Sequence, residues 1–235
     1  MKKILIIGDS TIQWIRPYRN HIDDFTYVEL LRKEGYDIDV ISMPGMTSKE
    51  VLNIYWNTLG GKFYDIYIVS VGINDLTPRS YPRWMWKIYN NLLIKESLLS
   101  KTFDIFYRLF TNKFIQKVFS KYRISKPWIS LKYFNLYLSK FQELVIKETD
   151  SKIIYLSLPM VSTRVSSILY GIEKNIVAYK RVIKDLVDNK RVYEIDIDKL
   201  FEKDIEKYNT EGIHYTADGH KIIFENLVKM IKDTK

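Results

Sequence analysis

The 235 residues carry a formal net charge of +9, 46% apolar content and no cysteine, which is enough chain for one sizeable core in a single domain spanning residues 1–235. The missing cysteine excludes a disulfide framework, a thiolate nucleophile and thiolate metal sites, and no uncharged stretch approaches the roughly 18–20 residues that span a bilayer. Two lysines and then only four apolar residues precede Gly8, too few for a signal-peptide core, so the expected location is cytoplasmic.

Lys2 to Ile7 form a continuously apolar, β-branched run of the kind a strand buried on both faces requires, and it stops at Gly8-Asp9-Ser10. Gly8 permits a tight exit, and a helix beginning at Thr11 would point its free N–H groups back at Ser10. That presents the serine as a nucleophile would be presented, although Gly-Asp-Ser is also ordinary turn chemistry. Asp23 or Asp24 is expected to cap a helix running to about Glu34, with Gly35 as its stop. A strand over Asp37 to Ser42 ends at Met43-Pro44-Gly45, and Thr47-Ser48-Lys49-Glu50 is a capping-box pattern for a helix towards Leu59, terminated at Gly60-Gly61. Tyr64 to Val71 reads as a third strand ending at Gly72-Ile73-Asn74-Asp75. Strands that alternate with helices argue for a parallel sheet with crossovers, whose ligand crevice lies beyond the C-terminal strand ends, where Ser10, Gly45 and Asn74 would gather.

The rhythm breaks from Pro78 to about Pro127. Between Arg79 and Tyr133, twelve Lys or Arg stand against two acidic residues, a net of +10 that leaves −1 for the rest of the chain. The same segment holds thirteen of the 34 aromatic residues. Phe103, Phe106, Tyr107, Phe110 and Phe114 repeat as one helical stripe beside a basic row of Lys113, Lys117 and Lys121, so residues 79–133 are expected to be an inserted helical cap. The alternation resumes with a helix from about Phe134 to Thr149, a strand over Lys152 to Leu158, a helix from about Glu173 to Val187 and a fifth strand over Val192 to Ile197. Lys199 to Tyr208 is expected to be helical, and Thr216 or Asp218 to open a last helix to about Ile231.

Gly8-Asp9-Ser10, Met43-Pro44-Gly45-Met46-Thr47, Gly72-Ile73-Asn74-Asp75 and Glu211-Gly212-Ile213-His214 fall in an order and at spacings that resemble the SGNH (GDSL-like) serine hydrolase family. The resemblance implies a three-layer α/β/α sandwich, flavodoxin-like, with a five-stranded parallel sheet and an inserted helical segment. It also implies Ser10 as nucleophile, His214 as base, and the Ser10 and Gly45 N–H groups with the Asn74 amide as oxyanion donors. Glu211 stands where that family usually has an aspartate, one methylene longer but able to orient His214. Imidazole chemistry supports the choice of base, since only His21 and His220 compete and both read as structural or surface residues. Asp9 and Asp75 are further carboxylates near the site, either bracing turns or meeting substrate.

No cofactor is implied: there is no His-Glu-x-x-His pattern for zinc, no Gly-x-Gly-x-x-Gly fingerprint and no Walker-type loop. The leading expectation is an esterase removing an O-acyl, most simply O-acetyl, group from a carbohydrate. The same acyl-enzyme could instead serve an O-acetyltransferase acting on a cell-surface polysaccharide, and a third reading is a non-catalytic protein holding a glycan or a membrane. For the insertion, three readings stand. Trp84, Trp86 and Trp128 could stack on sugar rings while the cations meet an anionic glycan. The helices could lie on an anionic membrane, giving a peripheral location at its inner face. Or the stripe simply packs. In the first two, removing the insertion would change substrate range or membrane association more than turnover of a small ester. No nucleic-acid motif accompanies the charge, which sets that partner aside.

Overall fold

The computed structural model describes residues 2–18, 21–59, 63–93, 98–122, 124–202, 204–210 and 212–233. The first strand, β1 (Lys3–Gly8), lies between β2 (Asp37–Ser42) and β3 (Ile66–Ser70), followed by β4 (Lys152–Leu156) and β5 (Val192–Ile195) in the order β2-β1-β3-β4-β5, every pair parallel. Strand periodicity explains how one short run feeds two cores. Leu5 and Ile7 point to one face of the sheet and Ile4 and Ile6 to the other, and all four are fully buried.

On the Leu5 face lie α2 (Ser48–Ile54), α7 (Leu131–Glu148) and α9 (Ile172–Leu186), which contribute Val51, Phe134, Phe141, Ile176 and Ile183. On the Ile4 face lie α1 (Tyr27–Lys33), α10 (Ile197–Phe201) and α12 (Ala217–Asp233), with Leu31, Phe201, Ile223 and Leu227. The result is the expected three-layer α/β/α sandwich. Because the strand order reverses between β1 and β3, a crevice opens at their C-terminal ends.

Several boundaries differ from those expected. The first helix starts at Tyr27, because Thr26 and Glu29 exchange the reciprocal bonds of a capping box, whereas Thr26 and Tyr27, not Glu or Gln, stand three residues after Asp23 and Asp24. The second keeps its box at Thr47 and Glu50 but turns α-helical only to Ile54, then widens into a π turn over Tyr55–Leu59; Gly60 and Gly61 lie outside the described residues. The stretch from Lys199 to Tyr208 splits into α10 and α11 (Ile205–Tyr208), since Asp196 and Asp204 each cap a new helix. The remaining short helices are α3 (Ile73–Leu76) and α8 (Thr163–Ser166).

The segment expected to be inserted is helical, comprising α4 (Arg83–Leu93), α5 (Leu98–Thr111) and α6 (Lys113–Lys121). The single aromatic stripe is corrected: the Asn112 side chain accepts from Phe114 N–H and starts a new helix, which carries Phe114 away from the Phe103–Phe110 row. Phe103, Tyr107 and Phe110 pack with Tyr81, Met85, Trp86, Tyr89 and Trp128 in a third cluster. Phe106 and Phe114 remain exposed.

Candidate active site

The end of β1 is shaped by Gly8. A Cβ there would meet the Ser70 carbonyl oxygen at 2.2 Å, so only glycine lets β1 and β3 run together to the crevice. Asp9 N–H then donates to the same carbonyl, and its carboxylate caps the turn that follows by accepting from Thr11 N–H (2.9 Å) and Thr11 Oγ1 (2.8 Å). Ser10 is thereby the first residue of a short 3₁₀ turn, Ser10–Ile12.

The loop Asn209 to Tyr215 brings the imidazole across. Ser10 Oγ lies 2.9 Å from His214 Nε2, a hydrogen bond between residues 204 positions apart. Trp14, on the turn after Ser10, sets its ring 5.2 Å from that of His214. Gly212, at φ +86°, makes the loop's approach to Ser162 possible. Glu211 lies outside the described residues.

The three predicted donors sit on three elements that are tied to one another. Neither Ser10 N–H nor Gly45 N–H donates to a protein acceptor among the described residues. Asn74, in α3 after β3, has its amide held at both ends: Nδ2 donates to Asp9 Oδ2 at 3.0 Å and Oδ1 accepts from Arg79 Nη2 at 3.0 Å. An acceptor on one side and a cation on the other leave one orientation for the amide, with its second N–H unspent. Arg79 is itself stacked on Trp128 (4.1 Å to the ring centre) and donates to Tyr81 Oη at 3.1 Å.

Asp9 and Asp75 are withdrawn from substrate. Asp9 is 1% exposed, and burial raises its pKa against the opposing bonds from Thr11. Asp75 is 0% exposed and accepts from Ser48 N–H (3.0 Å) and Ser48 Oγ (2.6 Å), pinning the start of α2 to α3. Burial pushes its pKa up to about 7. The bond from Asp75 therefore fixes the Gly45 loop relative to Asn74, which is a bracing role.

The tryptophans have separate surroundings. Trp86 covers Gly45 (φ +72°) so closely that a Cβ there would meet its ring at 2.5 Å. Trp128 is engaged by Arg79 on one contact and Arg83 on another (5.8 Å), which removes it as an open sugar platform. Arg83 pairs with Glu50; burial would raise that carboxyl, yet Arg83 and Thr47 hold it below its ordinary range. Trp84 is exposed. Of the other histidines, His21 is exposed and His220 is fully buried, with Nδ1 accepting from Tyr27 N–H and Nε2 3.2 Å from Trp14 O.

Sequence reasoning missed Arg79 and Trp14. Trp14 stands four residues after Ser10, a spacing that could have suggested one turn of contact. Nothing in the sequence distinguishes Arg79 from the other cations of its segment.

No family model and no curated protein matches this chain. Solved structures do. A lipase/acylhydrolase from Enterococcus faecalis is 14% identical with a TM-score of 0.63 over 99% of this chain and 96% of its own. The acetylxylan esterase Axe2 from Geobacillus stearothermophilus is 15% identical with a TM-score of 0.59 over 97% and 93%. The lipase Lip_vut3 from a goat rumen metagenome is 16% identical with a TM-score of 0.58 over 97% of both chains. Catalytic mutants of Axe2 replace a serine, an aspartate and a histidine, the aspartate three positions before the histidine. From end to end, then, this chain has the fold of the SGNH (GDSL-like) hydrolases.

Proposed function

We propose that the protein is a serine esterase that removes an O-acyl, most simply O-acetyl, group from a carbohydrate. The observation that carries this reading is the 2.9 Å bond between Ser10 Oγ and His214 Nε2 at the crevice where β1 and β3 end. His214 takes the proton as Ser10 Oγ attacks the ester carbonyl carbon, and the oxyanion is met by Ser10 N–H, Gly45 N–H and the second N–H of Asn74. The imidazolium returns that proton to the leaving sugar oxygen. Water, deprotonated by His214, then attacks the acyl-Ser10 ester and releases the acid.

Glu211 is the proposed orienting carboxylate, supported by its position three residues before His214, the spacing of the catalytic aspartate and histidine in Axe2. The carbohydrate is supported by the acetylxylan esterase among the fold relatives and by Trp14, half-open beside the imidazole where a sugar ring can stack.

The test is hydrolysis of a short-chain aryl ester and of an acetylated oligosaccharide by wild type, Ser10→Ala, His214→Ala and Glu211→Ala. We expect activity in wild type and losses of at least about 10³ in the first two variants. Wild-type-like turnover in Ser10→Ala would overturn the mechanism. Acyl transfer to an added glycan outpacing acetate release would replace hydrolysis with transfer.

A further inference from the structure

The insertion buries one set of apolar side chains and displays another. Phe103, Tyr107 and Phe110 fill the inner side of α5 and complete the third cluster. That cluster does not use Ile105, Phe106 and Leu109, which are 65%, 48% and 59% exposed. Ile105 and Leu109 are one helical turn apart, with Phe106 beside Leu109 on the next row, so the three form one continuous outward stripe. Exposed Lys101 continues the Ile105–Leu109 row by one turn.

On α6, which begins two residues after α5 ends, Phe114 is 72% exposed. Lys113, Lys117 and Lys121 lie a turn apart on that same face and are all exposed. The two helices together carry five Lys or Arg against Asp104 alone, and Asp104 is already paired with Arg108 at 2.8 Å. A helix pair that shows aliphatic and phenyl groups to water, ringed by long cations able to extend past them, has the build of an interfacial anchor.

We infer that the outer face of α5 and α6 docks on an anionic lipid bilayer, with Ile105, Phe106, Leu109 and Phe114 entering the acyl boundary and Lys101, Lys113, Lys117 and Lys121 meeting the phosphates. Charge selects this occupant. A second copy brought face to face would set lysine rows of equal sign against each other, and a dissolved polyanion would leave the four apolar groups in water. Among the described residues no helix is long and apolar enough to cross a membrane, so the attachment is peripheral. The same segment reaches the Gly45 loop through Trp86 on its inner side.

The inference does not depend on the esterase reading, and the test is independent of activity. Full-length protein is sedimented with vesicles of phosphatidylcholine containing 30% phosphatidylglycerol, and with pure phosphatidylcholine vesicles, near physiological salt. We expect binding to the first and little to the second. Lys113→Glu/Lys117→Glu/Lys121→Glu should weaken partitioning about a hundredfold or more, at roughly fivefold per cation. Ile105→Ser/Leu109→Ser/Phe114→Ser should weaken it comparably while leaving charge unchanged. Unaltered thermal unfolding midpoints verify that both variants fold. No binding to the anionic vesicles would overturn the inference, as would binding that survives both sets of substitutions. So would a concentration-dependent dimer that the serine variant dissolves while vesicles are ignored.

Discussion

Asn74 illustrates how much of the site is decided by groups that never meet substrate. Its amide is useful only if Nδ2 faces the crevice, and that orientation follows from Asp9 accepting on one side and Arg79 donating on the other. Removing the donor itself, Asn74→Ala, is expected to lower kcat by about 10²–10³ with little change in KM. Arg79→Met keeps the stem over Trp128 but frees the amide to rotate. It should cost kcat roughly tenfold with KM nearly unchanged, whereas damage to the substrate pocket would raise KM instead. Steady-state kinetics on an aryl ester separates the two. The contact between Ser10 and His214 was legible, and Gly45 and Asn74 were singled out as candidates, because each follows a strand end or a glycine turn, a local pattern that chain order exposes. Arg79 was not, because its role arises from a partner five residues away across the turn at Pro78 and from an indole 49 residues further on.

Elements register with one another through single polar contacts, and Asp75 is one with a pH signature. Its carboxyl joins α3 to the start of α2, and burial lifts its pKa in the fold to about 7 against an ordinary 3.8. Between those values the folded chain holds a proton that the unfolded chain has lost. Stability from this group is therefore full below about pH 4, declines as pH rises from there to about 7, and levels off above about 7. Asp75→Asn should flatten that decline by on the order of 1–3 kcal/mol between pH 5 and 8, read by urea unfolding at each pH. Asp9, raised in the same direction, leaves part of the slope in the variant. The alternation of strands and helices was readable because four of the five strands are short runs closed within a few residues by glycine or proline, β5 alone running on into Asp196. Helix starts were readable where one cap stood alone in its stretch: Thr47 with Glu50 and Thr216 before Ala217 were found, while Asp23 and Asp24 drew attention from Thr26 with Glu29.

At the scale of the molecule the segment from Arg79 to Tyr133 makes contacts on more than one side. Its charge and aromatic content were visible in the sequence, and its helices follow from their spacing. What spacing cannot convey is that one segment faces three ways, towards its own cluster, towards solvent and towards the loops of the candidate active site. Trp86 lies on Gly45, Arg79 holds Asn74, Arg83 pairs with Glu50 of the α2 cap, and Ile129 N–H donates to Asp75 O at 3.2 Å. Each contact ends on a donor loop or its brace. These contacts argue for a larger effect on small esters than the sequence reading expected. Excising residues 79–130 and rejoining the chain should lower turnover of a short-chain aryl ester by more than about a hundredfold, because Asn74 and Gly45 both lose their supports. Replacing only the outward residues Ile105, Leu109 and Phe114 by serine should leave that turnover within about twofold, since none touches those loops. The contrast between the two variants on one substrate tests whether the inner side of the segment, and not its outer side, supports the Asn74 and Gly45 loops. Equal activity in both would detach the segment from the oxyanion site altogether.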